Sequence, residues 1–330
     1  MAGIMNLSTS SNGPRRFEKH SPQDPPPRTM VVGANGFIGR AFLAAYRQYD
    51  PTCAGTSHRS IEGLTHLDLA SPDPAPLALA PGRYRYALLA AGLTRLMACE
   101  REPEFAYARN VTGTLELCRQ LHEMGLTPIW FSSDCVFDGR AGGYPDDAPV
   151  SPMNVYGRQK AEVEARLPEI CGKDYLIIRL GKVFGLEKGD GTLLDEMAAL
   201  LAGGQSVRAA EDQILCPIWI GDVVNLVLRL QTAGARGLYN LCHREVWNRF
   251  ALACRIAQRM DADSSLVKKI SLKELGEGLY RPTRTHMVCE RLSGEIPYAP
   301  RPIDECVEQV AGHYPVPGRK PSKTIENNML

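Results

Sequence analysis

Three side chains near the middle of the sequence could transfer a proton to a carbonyl oxygen. Tyr156 and Lys160 are four residues apart, so on a helix they share one face and the ammonium can lie near the phenol oxygen. A nearby positive charge favours ionisation of a phenol, whose pKa is otherwise about 10. Ser133 lies earlier in the chain, after an apolar run, and could donate a hydrogen bond to the same carbonyl. The pattern predicts general-acid catalysis by Tyr156, although this spacing also occurs on surface helices.

A glycine-rich turn near the start of the chain could bind the phosphates of a dinucleotide. Gly33, Gly36 and Gly39 are spaced by three and join an apolar run to an amphipathic one. Such glycines permit a tight turn, the approach of a pyrophosphate and close packing of helix on strand. The helix N-terminus would offer N–H groups to the phosphates. The turn therefore predicts a nicotinamide dinucleotide site, whose further contacts in the loop are Asn35, Phe37 and Ile38.

The end of the second predicted strand favours NADP(H) over NAD. Ser57, His58 and Arg59 stand where an acidic residue would bind the ribose 2′-hydroxyl, and the first carboxylate is Glu62. A solvated Arg59 in an enzyme that also accepts NAD is the alternative. Later strand ends supply the remaining predicted contacts, which are Asp68, Leu69, Ala90, Ala91 and Gly92. With the positive nicotinamide bound, we expect Lys160 to lower the pKa of Tyr156 towards neutrality.

Apolar runs that alternate with amphipathic stretches predict the elements that position these residues. We expect strands over 29–32, 52–57, 86–90, 128–132 and 175–180, and helices over 36–47, 103–124, 155–167, 193–202, 221–231 and 246–260. The fold class is α/β, a Rossmann-type doubly wound parallel sheet with a smaller, mostly C-terminal substrate-binding lobe. The predicted divisions are a disordered extension (1–28), an NADP-binding domain (29–180), a substrate-binding lobe with segments returning to the sheet (181–314) and a tail (315–330).

Composition restricts the partners. Lysine and arginine number 38 against 37 acidic residues, so no strong field attracts nucleic acid or an anionic membrane. Apolar runs reach about eight residues where a membrane span needs ~20, and no signal peptide is evident, so we expect a cytoplasmic protein. The ten cysteines include no C-x-x-C pair and the histidines have no partner at i+3 or i+4. We therefore predict reduced, packed thiols and no metal site.

Several motifs together resemble the extended short-chain dehydrogenases/reductases. Within that group the chain is most similar to the dTDP-4-dehydrorhamnose reductases and related nucleotide-sugar 4-ketoreductases. The similarity covers about residues 29–295. The motifs that carry it are the glycine turn and the segments 99–111, 131–139, 144–149, 156–164, 178–185, 212–217, 237–240 and 281–282.

The resemblance implies NADPH-dependent reduction of the 4-keto group of a nucleotide-linked, dTDP-type deoxysugar. It implies catalytic roles for Ser133, Tyr156 and Lys160, and a cofactor-side role for Asn110 in the network around the lysine. It places residues 181–183 near the nicotinamide, with Lys182 as a contact of cofactor or sugar nucleotide. The implied substrate contacts are Thr94, Asp134, Val136, Gln213, Trp219 and Arg281. The partners we expect are the nucleotide sugar and, in a homodimer, a second copy of the chain.

Cys135 distinguishes the alternatives within this resemblance. A cysteine two residues after the catalytic serine resembles the GDP-fucose synthases, which also epimerise, but residues 185–194 contain no partner histidine. Nucleotide-sugar dehydratases place Asp-Glu after the hydroxyl residue, where this chain has Asp134 and Cys135. We therefore expect Cys135 to be a small packing residue. A nucleotide-sugar epimerase, and a non-catalytic NADP-binding regulatory module like the regulatory subunit of methionine adenosyltransferase, remain alternatives.

Overall fold

The computed structural model describes residues 25–275, 281–297 and 299–315. The predicted N-terminal extension and C-terminal tail lie almost entirely outside these ranges.

Thirteen short strands and ten α-helices make up the described chain. The strands are β1 (Thr29–Val32), β2 (Thr56–Ser57), β3 (Thr65–His66), β4 (Tyr86–Leu89), β5 (Thr127–Ser133), β6 (Leu176–Leu180), β7 (Val183–Phe184), β8 (Val207–Ala210), β9 (Ile214–Leu215), β10 (Ile218–Trp219), β11 (Gly237–Leu241), β12 (Trp247–Asn248) and β13 (Val267–Ile270). The helices are α1 (Phe37–Tyr49), α2 (Leu96–Arg101), α3 (Pro103–Tyr107), α4 (Thr114–Glu123), α5 (Val155–Cys171), α6 (Leu193–Ala202), α7 (Ile220–Thr232), α8 (Arg249–Met260), α9 (Glu290–Glu295) and α10 (Ile303–Gly312).

The central sheet has five parallel strands in the order β1-β4-β5-β6-β11. The parallel pair β2-β3 continues it beyond β1, where Val31 bridges to Gly55. The resulting order, with β3 and β2 outside β1, is that of the doubly wound dinucleotide-binding fold. The predicted fold class is confirmed. Because all five strands are parallel, their carboxyl ends and the loops that follow meet at one edge.

Both faces of the sheet are covered by helices. Alternate residues of each strand point to opposite faces, so Val31 packs in the core under α1 and α7, while Met30 and Val32 pack under α4 and α5. These strand side chains are almost completely buried. The near-continuous apolar runs seen in the sequence reflect burial on both sides.

A second core lies in the C-terminal half of the chain. It buries apolar side chains of α6, α8 and α10 against the parallel pair β8-β13. The same half also returns β11 to the central sheet, beside β6. The division after residue 180 stays a prediction, since the C-terminal half contributes to both cores.

Two predicted elements differ in detail from the structure. The strand expected over 52–57 is regular only at Thr56–Ser57. The helix expected over 103–124 consists of α3, a π-helical turn at Ala108–Gly113 and α4. A Cβ on Gly113 would lie 1.6 Å from the carbonyl oxygen of Leu69, so the wider turn places a glycine where the neighbouring loop approaches closely.

Eight of the ten cysteines are buried, in agreement with the predicted packing role. None of the helices in the described ranges is both long and apolar enough to cross a bilayer.

A buried ion pair joins α5 to the sheet. Arg179 on β6 makes two hydrogen bonds to Glu164, at 2.9 and 2.7 Å, and both side chains are about 95% buried. The arginine also donates to the carbonyl of Asp146. Removing one member of such a pair leaves the other charge buried and uncompensated.

We therefore expect Glu164→Ala to lower the free energy of unfolding by about 3 to 5 kcal/mol. Glu162→Ala, which removes a more exposed pair with Arg166 on the same helix, should cost less than about 1 kcal/mol. Urea unfolding followed by circular dichroism measures both. Equal midpoints for the two variants would contradict this account of the pair.

Candidate active site

The carboxyl edge of the sheet opens into a cavity of about 460 Å³. The first turn of α1 and the loops after β4, β5 and β6 supply one part of its wall, and α5 adds Tyr156 and Lys160. The C-terminal half of the chain supplies the rest. The lining residues predicted from the sequence are Gly36, Phe37, Ile38, Ala90, Ala91, Gly92, Thr94, Ser133, Asp134, Tyr156, Lys160, Lys182, Gln213 and Arg281.

The glycine turn has the geometry that a dinucleotide site requires. Gly33 has a φ of +79°, and a Cβ there would lie 2.6 Å from the backbone nitrogen of Ala91. A Cβ on Gly39 would lie 2.1 Å from the carbonyl oxygen of Gly33. The first turn of α1 carries no acidic residue, and Gly36 offers no side chain to cap it. Its backbone N–H groups and positive dipole end therefore suit the phosphates of a dinucleotide.

The loop after β2 leaves one arginine open to solvent. Thr56 accepts a hydrogen bond from Gly33 N at 3.2 Å, which ties this loop to the glycine turn. Ser57 is buried and accepts from Arg59 N at 2.9 Å, whereas the side chains of His58 and Arg59 are exposed. Among the described residues, no carboxylate lies within 4 Å of the Arg59 guanidinium. Arg59 is thus free to pair with an anionic group of a ligand.

The remaining predicted cofactor contacts do not line the cavity. Asn35 is half-buried in the glycine turn, Leu69 is buried, and Asp68 pairs with Arg109 at 3.6 Å. Asn110 is also buried and exchanges two hydrogen bonds with the backbone of Leu93, at 2.8 and 2.9 Å.

Asn110 therefore acts on the cavity through other residues. Its amide also donates to Gln159 Oε1 at 2.8 Å, which links the loop after β4 to α5. The structure makes Asn110 a positioning residue between these two walls.

Helix α5 holds two of the predicted catalytic groups in fixed positions. Asn154 caps the helix by accepting from Gly157 N at 2.7 Å. The Lys160 ammonium donates to the carbonyl oxygen of Phe131 at 2.7 Å and lies 4.3 Å from the centre of the Trp130 ring. It lies 5.6 Å from the centre of the Tyr156 ring. Both side chains are buried at the end of β5.

The protein groups around Tyr156 raise its pKa, and the expected lowering with a bound nicotinamide stays a prediction. Burial raises the pKa of the phenol above its usual 10, and the neighbouring Cys135 and Asp134 raise it further. The Lys160 ammonium is bonded to a backbone carbonyl, and burial lowers the pKa of this lysine to about 8. Tyr156 is therefore a neutral phenol at pH 7, which is the form that can donate a proton.

Ser133 lies in a hydrogen-bonded network beside this phenol. Its Oγ donates to Asp134 Oδ1 at 3.0 Å and accepts from Cys135 N at 3.2 Å. Thr285, from the C-terminal half, donates to the other carboxylate oxygen of Asp134 at 2.7 Å. Burial raises the pKa of Asp134. The network holds the Ser133 hydroxyl at the cavity wall. Both oxygens of the Asp134 carboxylate accept hydrogen bonds from side chains of the protein, Ser133 and Thr285.

Cys135 lines the cavity as a neutral thiol. Burial raises its pKa to about 12, with a further contribution from the Asp134 charge. Among the lining residues that the structure describes there is no histidine and no second cysteine. In the described cavity wall, Cys135 thus has no histidine or second cysteine as an acid–base partner.

Two predicted substrate contacts lie elsewhere. Val136 is completely buried in the core under α1 and α7, because the turn at Asp134–Val136 points it inward. Trp219 packs against the second core, with the Arg301 guanidinium 5.5 Å from its ring centre. Neither is among the cavity-lining residues in the described part of the chain. Val136 has no exposed surface through which to contact a substrate, and contact of a substrate with Trp219 stays a prediction.

The sequence analysis also missed a residue that the fold brings into the cavity. Arg249 begins α8 and lines the wall beside Arg281. The local sequence around it contains no recognisable motif. Arg249 reaches the cavity because α8 packs in the second core.

The chain matches the model of the RmlD substrate binding domain family over residues 27–315. It is 26% identical over 275 residues to the probable low-salt glycan biosynthesis reductase Agl14 of Haloferax volcanii, covering 81% of this chain and 91% of that protein. It is 27% identical over 266 residues to a dTDP-4-dehydrorhamnose reductase of Streptomyces griseus, covering 78% and 84% of the two chains. It is 26% identical over 274 residues to methionine adenosyltransferase 2 subunit beta of Danio rerio, covering 80% and 84%.

A similar fold occurs in the crystal structure of a dTDP-4-dehydrorhamnose reductase from Bacillus anthracis in complex with NADP. The two structures superpose with a TM-score of 0.75 at 20% identity, over 87% of this chain and 99% of the other.

The exposed position of Arg59 leads to a prediction about dinucleotide binding. We expect Arg59→Glu to weaken NADPH binding by about tenfold or more, because a carboxylate would replace a cation near the 2′-phosphate. NADH binding, which involves no such phosphate, should change by less than about threefold. Fluorescence titration at fixed salt measures both affinities. Unchanged NADPH affinity would mean that this loop faces solvent in the complex.

Proposed function

The chain belongs to the RmlD substrate binding domain family, and on that basis we propose that it reduces the 4-keto group of a nucleotide-linked, dTDP-type deoxysugar with NADPH. One observation carries the proposal. A single cavity joins the uncapped N-terminus of α1 to a neutral buried tyrosine and a fixed serine hydroxyl. Two of its relatives are named as reductases of dTDP-linked keto sugars, and reduction of a ketone needs a hydride donor and a proton donor side by side.

Residues from different walls of the cavity have different roles in the proposed reaction. The first turn of α1 binds the dinucleotide phosphates through its N–H groups. When bound, NADPH supplies the hydride that reduces the carbonyl carbon. Ser133 releases its single hydroxyl proton from Asp134 and donates it in a hydrogen bond to the carbonyl oxygen, which favours the negative charge that develops there. Tyr156 then gives its phenolic proton to that oxygen. The buried Lys160 ammonium lies on the same helix face, where its charge favours the phenolate that remains.

The cavity does not support epimerisation as a second activity. Inversion at a carbon next to the ketone needs an acid and a base on opposite faces of the sugar. Cys135 is a neutral thiol with a pKa of about 12, and the described cavity lining holds no histidine. Reduction requires neither group.

A non-catalytic regulatory role is the alternative function, because the chain is also similar to methionine adenosyltransferase 2 subunit beta. The presence of Ser133, Tyr156 and Lys160 in one cavity favours an enzyme. An assay of NADPH oxidation with a 4-keto nucleotide sugar distinguishes the two functions. A reductase oxidises one NADPH per sugar, whereas a regulatory module oxidises no NADPH.

We also infer the compartment and the assembly. Most of the ten cysteines pack as buried apolar side chains, which fits a reducing compartment, so we propose that the protein is cytoplasmic. We propose a homodimer as its assembly, and the exposed aromatic side chains of Phe105 and Tyr107 are the apolar surface that such an interface would cover. Sedimentation equilibrium measures the assembly.

Tyr156→Phe tests the proton donor. We expect kcat to fall by about 100-fold or more, since general-acid catalysis contributes roughly that factor. NADPH affinity and melting temperature should stay close to those of the wild type, because one oxygen is lost. Tyr49→Phe is the matched control, since that tyrosine is exposed at the end of α1 and outside the cavity. Turnover of Tyr156→Phe within threefold of the wild type would discard this residue as the acid.

The reaction in D₂O tests reduction against epimerisation. With a dTDP-linked 4-keto-6-deoxysugar, we expect one NADPH consumed per product and no deuterium at C3 or C5 above a no-enzyme control. Mass spectrometry of the product and absorbance at the nicotinamide band give the two readings. Deuterium at either carbon would instead make Cys135 a catalytic residue.

A further inference from the structure

Thr285 brings a hydroxyl group of the C-terminal half into the network around Ser133. The residue is 3% exposed, and its Oγ1 donates to Asp134 Oδ2 at 2.7 Å. The other oxygen of that carboxylate, Oδ1, accepts from Ser133 Oγ at 3.0 Å. All three residues line the cavity. One carboxylate thus joins Thr285 to the hydroxyl that the proposed reaction uses.

Backbone hydrogen bonds hold the segment that carries Thr285. From the loop after β5, the carbonyl of Gly139 accepts from Arg284 N at 2.9 Å. From β9, Ile214 N donates to the carbonyl of Thr283 at 2.6 Å. Neither bond involves the Thr285 side chain. The segment therefore keeps its place against Asp134 when the Thr285 hydroxyl alone is removed.

The Ser133 hydroxyl has a single proton, which Asp134 accepts in the structure. To bond the substrate carbonyl, Ser133 must turn that proton away from the carboxylate. A carboxylate in the cavity wall that loses a donor costs free energy, because it is partly withdrawn from water. Thr285 donates to Asp134 both before and after this turn, so the carboxylate keeps a side-chain donor. The positive charge of Lys182 also favours the ionised carboxylate.

We propose that Thr285 is a positioning residue, which holds the Asp134 carboxylate so that Ser133 can donate its proton to the substrate carbonyl. This inference rests on the proposed function, because it explains how Ser133 becomes available in that reaction. The effect of Thr285 on turnover then passes through Ser133, and binding of the dinucleotide at the N-terminus of α1 does not depend on it.

Steady-state reduction of a dTDP-linked 4-keto-6-deoxysugar tests this role. We expect Thr285→Val to lower kcat by about 10-fold, while the KM for the sugar and the NADPH affinity change by less than about twofold. Thr285→Ser keeps the hydroxyl and should restore most of the wild-type kcat. Thr283→Val is the matched control and should turn over like the wild type. It removes a threonine hydroxyl from the same segment, and the acceptor of that hydroxyl, the Gly139 carbonyl, keeps its bond from Arg284 N.

A double-mutant cycle separates positioning from a merely structural role. In a Ser133→Ala background no serine hydroxyl remains for Thr285 to act on. Adding Thr285→Val there should lower kcat by less than about twofold further. A second loss of about 10-fold in that background would overturn the proposal, because the two residues would then act independently.

The ionisation of Asp134 gives a reading that needs no turnover. Burial raises the pKa of this carboxyl, and the hydrogen bond from Thr285 offsets part of the rise. We therefore expect the pKa of Asp134 to be higher in Thr285→Val than in the wild type, and unchanged in the control variant. Carbon-13 NMR of aspartate-labelled protein measures it, with the signal identified by its loss in Asp134→Asn. Lys182, Cys135 and Tyr156 also interact with this carboxyl, and all three are kept in both variants.

The two readings distinguish this inference from the proposed function. A reductase whose kcat is unchanged by Thr285→Val would keep the proposed function and overturn the positioning role. A wild-type protein that oxidises no NADPH would reject the reductase, and the titration would then decide whether Thr285 holds the carboxylate. A higher pKa of Asp134 in Thr285→Val would support that hold. Equal pKa values in the variant and the wild type would overturn it in either case.

Discussion

The hydrogen bond from the Lys160 ammonium to the carbonyl of Phe131 fixes helix α5 on the end of β5, and the positions of the other proposed catalytic groups depend on it. Tyr156 lies one turn earlier on the same helix, so anchoring the lysine also sets the phenol beside the strand end that carries Ser133. The cost of burying the ammonium is seen in the lowered pKa of Lys160. The carbonyl dipole and the face of the Trp130 ring offset part of that cost.

This arrangement explains why the phenol is neutral in the structure. An ammonium that donates its hydrogen bond to a backbone carbonyl stabilises a nearby phenolate less than one that donates to the phenol oxygen directly. Burial then dominates the pKa of Tyr156. For a reduction this ordering is suitable, since the residue must hold its proton until negative charge develops on the substrate oxygen.

The N-terminal half of the fold, which contains the glycine turn, could be predicted because the sequence patterns that indicate it are local. The glycine spacing, the strand ends and the spacing of Tyr156 and Lys160 each depend on residues that are close in the chain. The π-helical turn containing Asn110 and the inward direction of Val136 depend on packing between distant segments. Arg249 shows the same limit, since its place in the cavity comes from the packing of α8 in the second core. Its neighbours in sequence therefore carry no signal of its position.

The C-terminal half of the chain contributes directly to the wall of the cavity beside Ser133. Thr285, from that half, donates a hydrogen bond to one oxygen of Asp134, and Ser133 donates to the other. A displacement of the segment that carries Thr285 would therefore reach the Ser133 hydroxyl through the Asp134 carboxylate. The same segment contains Arg281, which also lines the cavity, so contacts of a ligand with this wall and the orientation of Ser133 depend on one stretch of the chain.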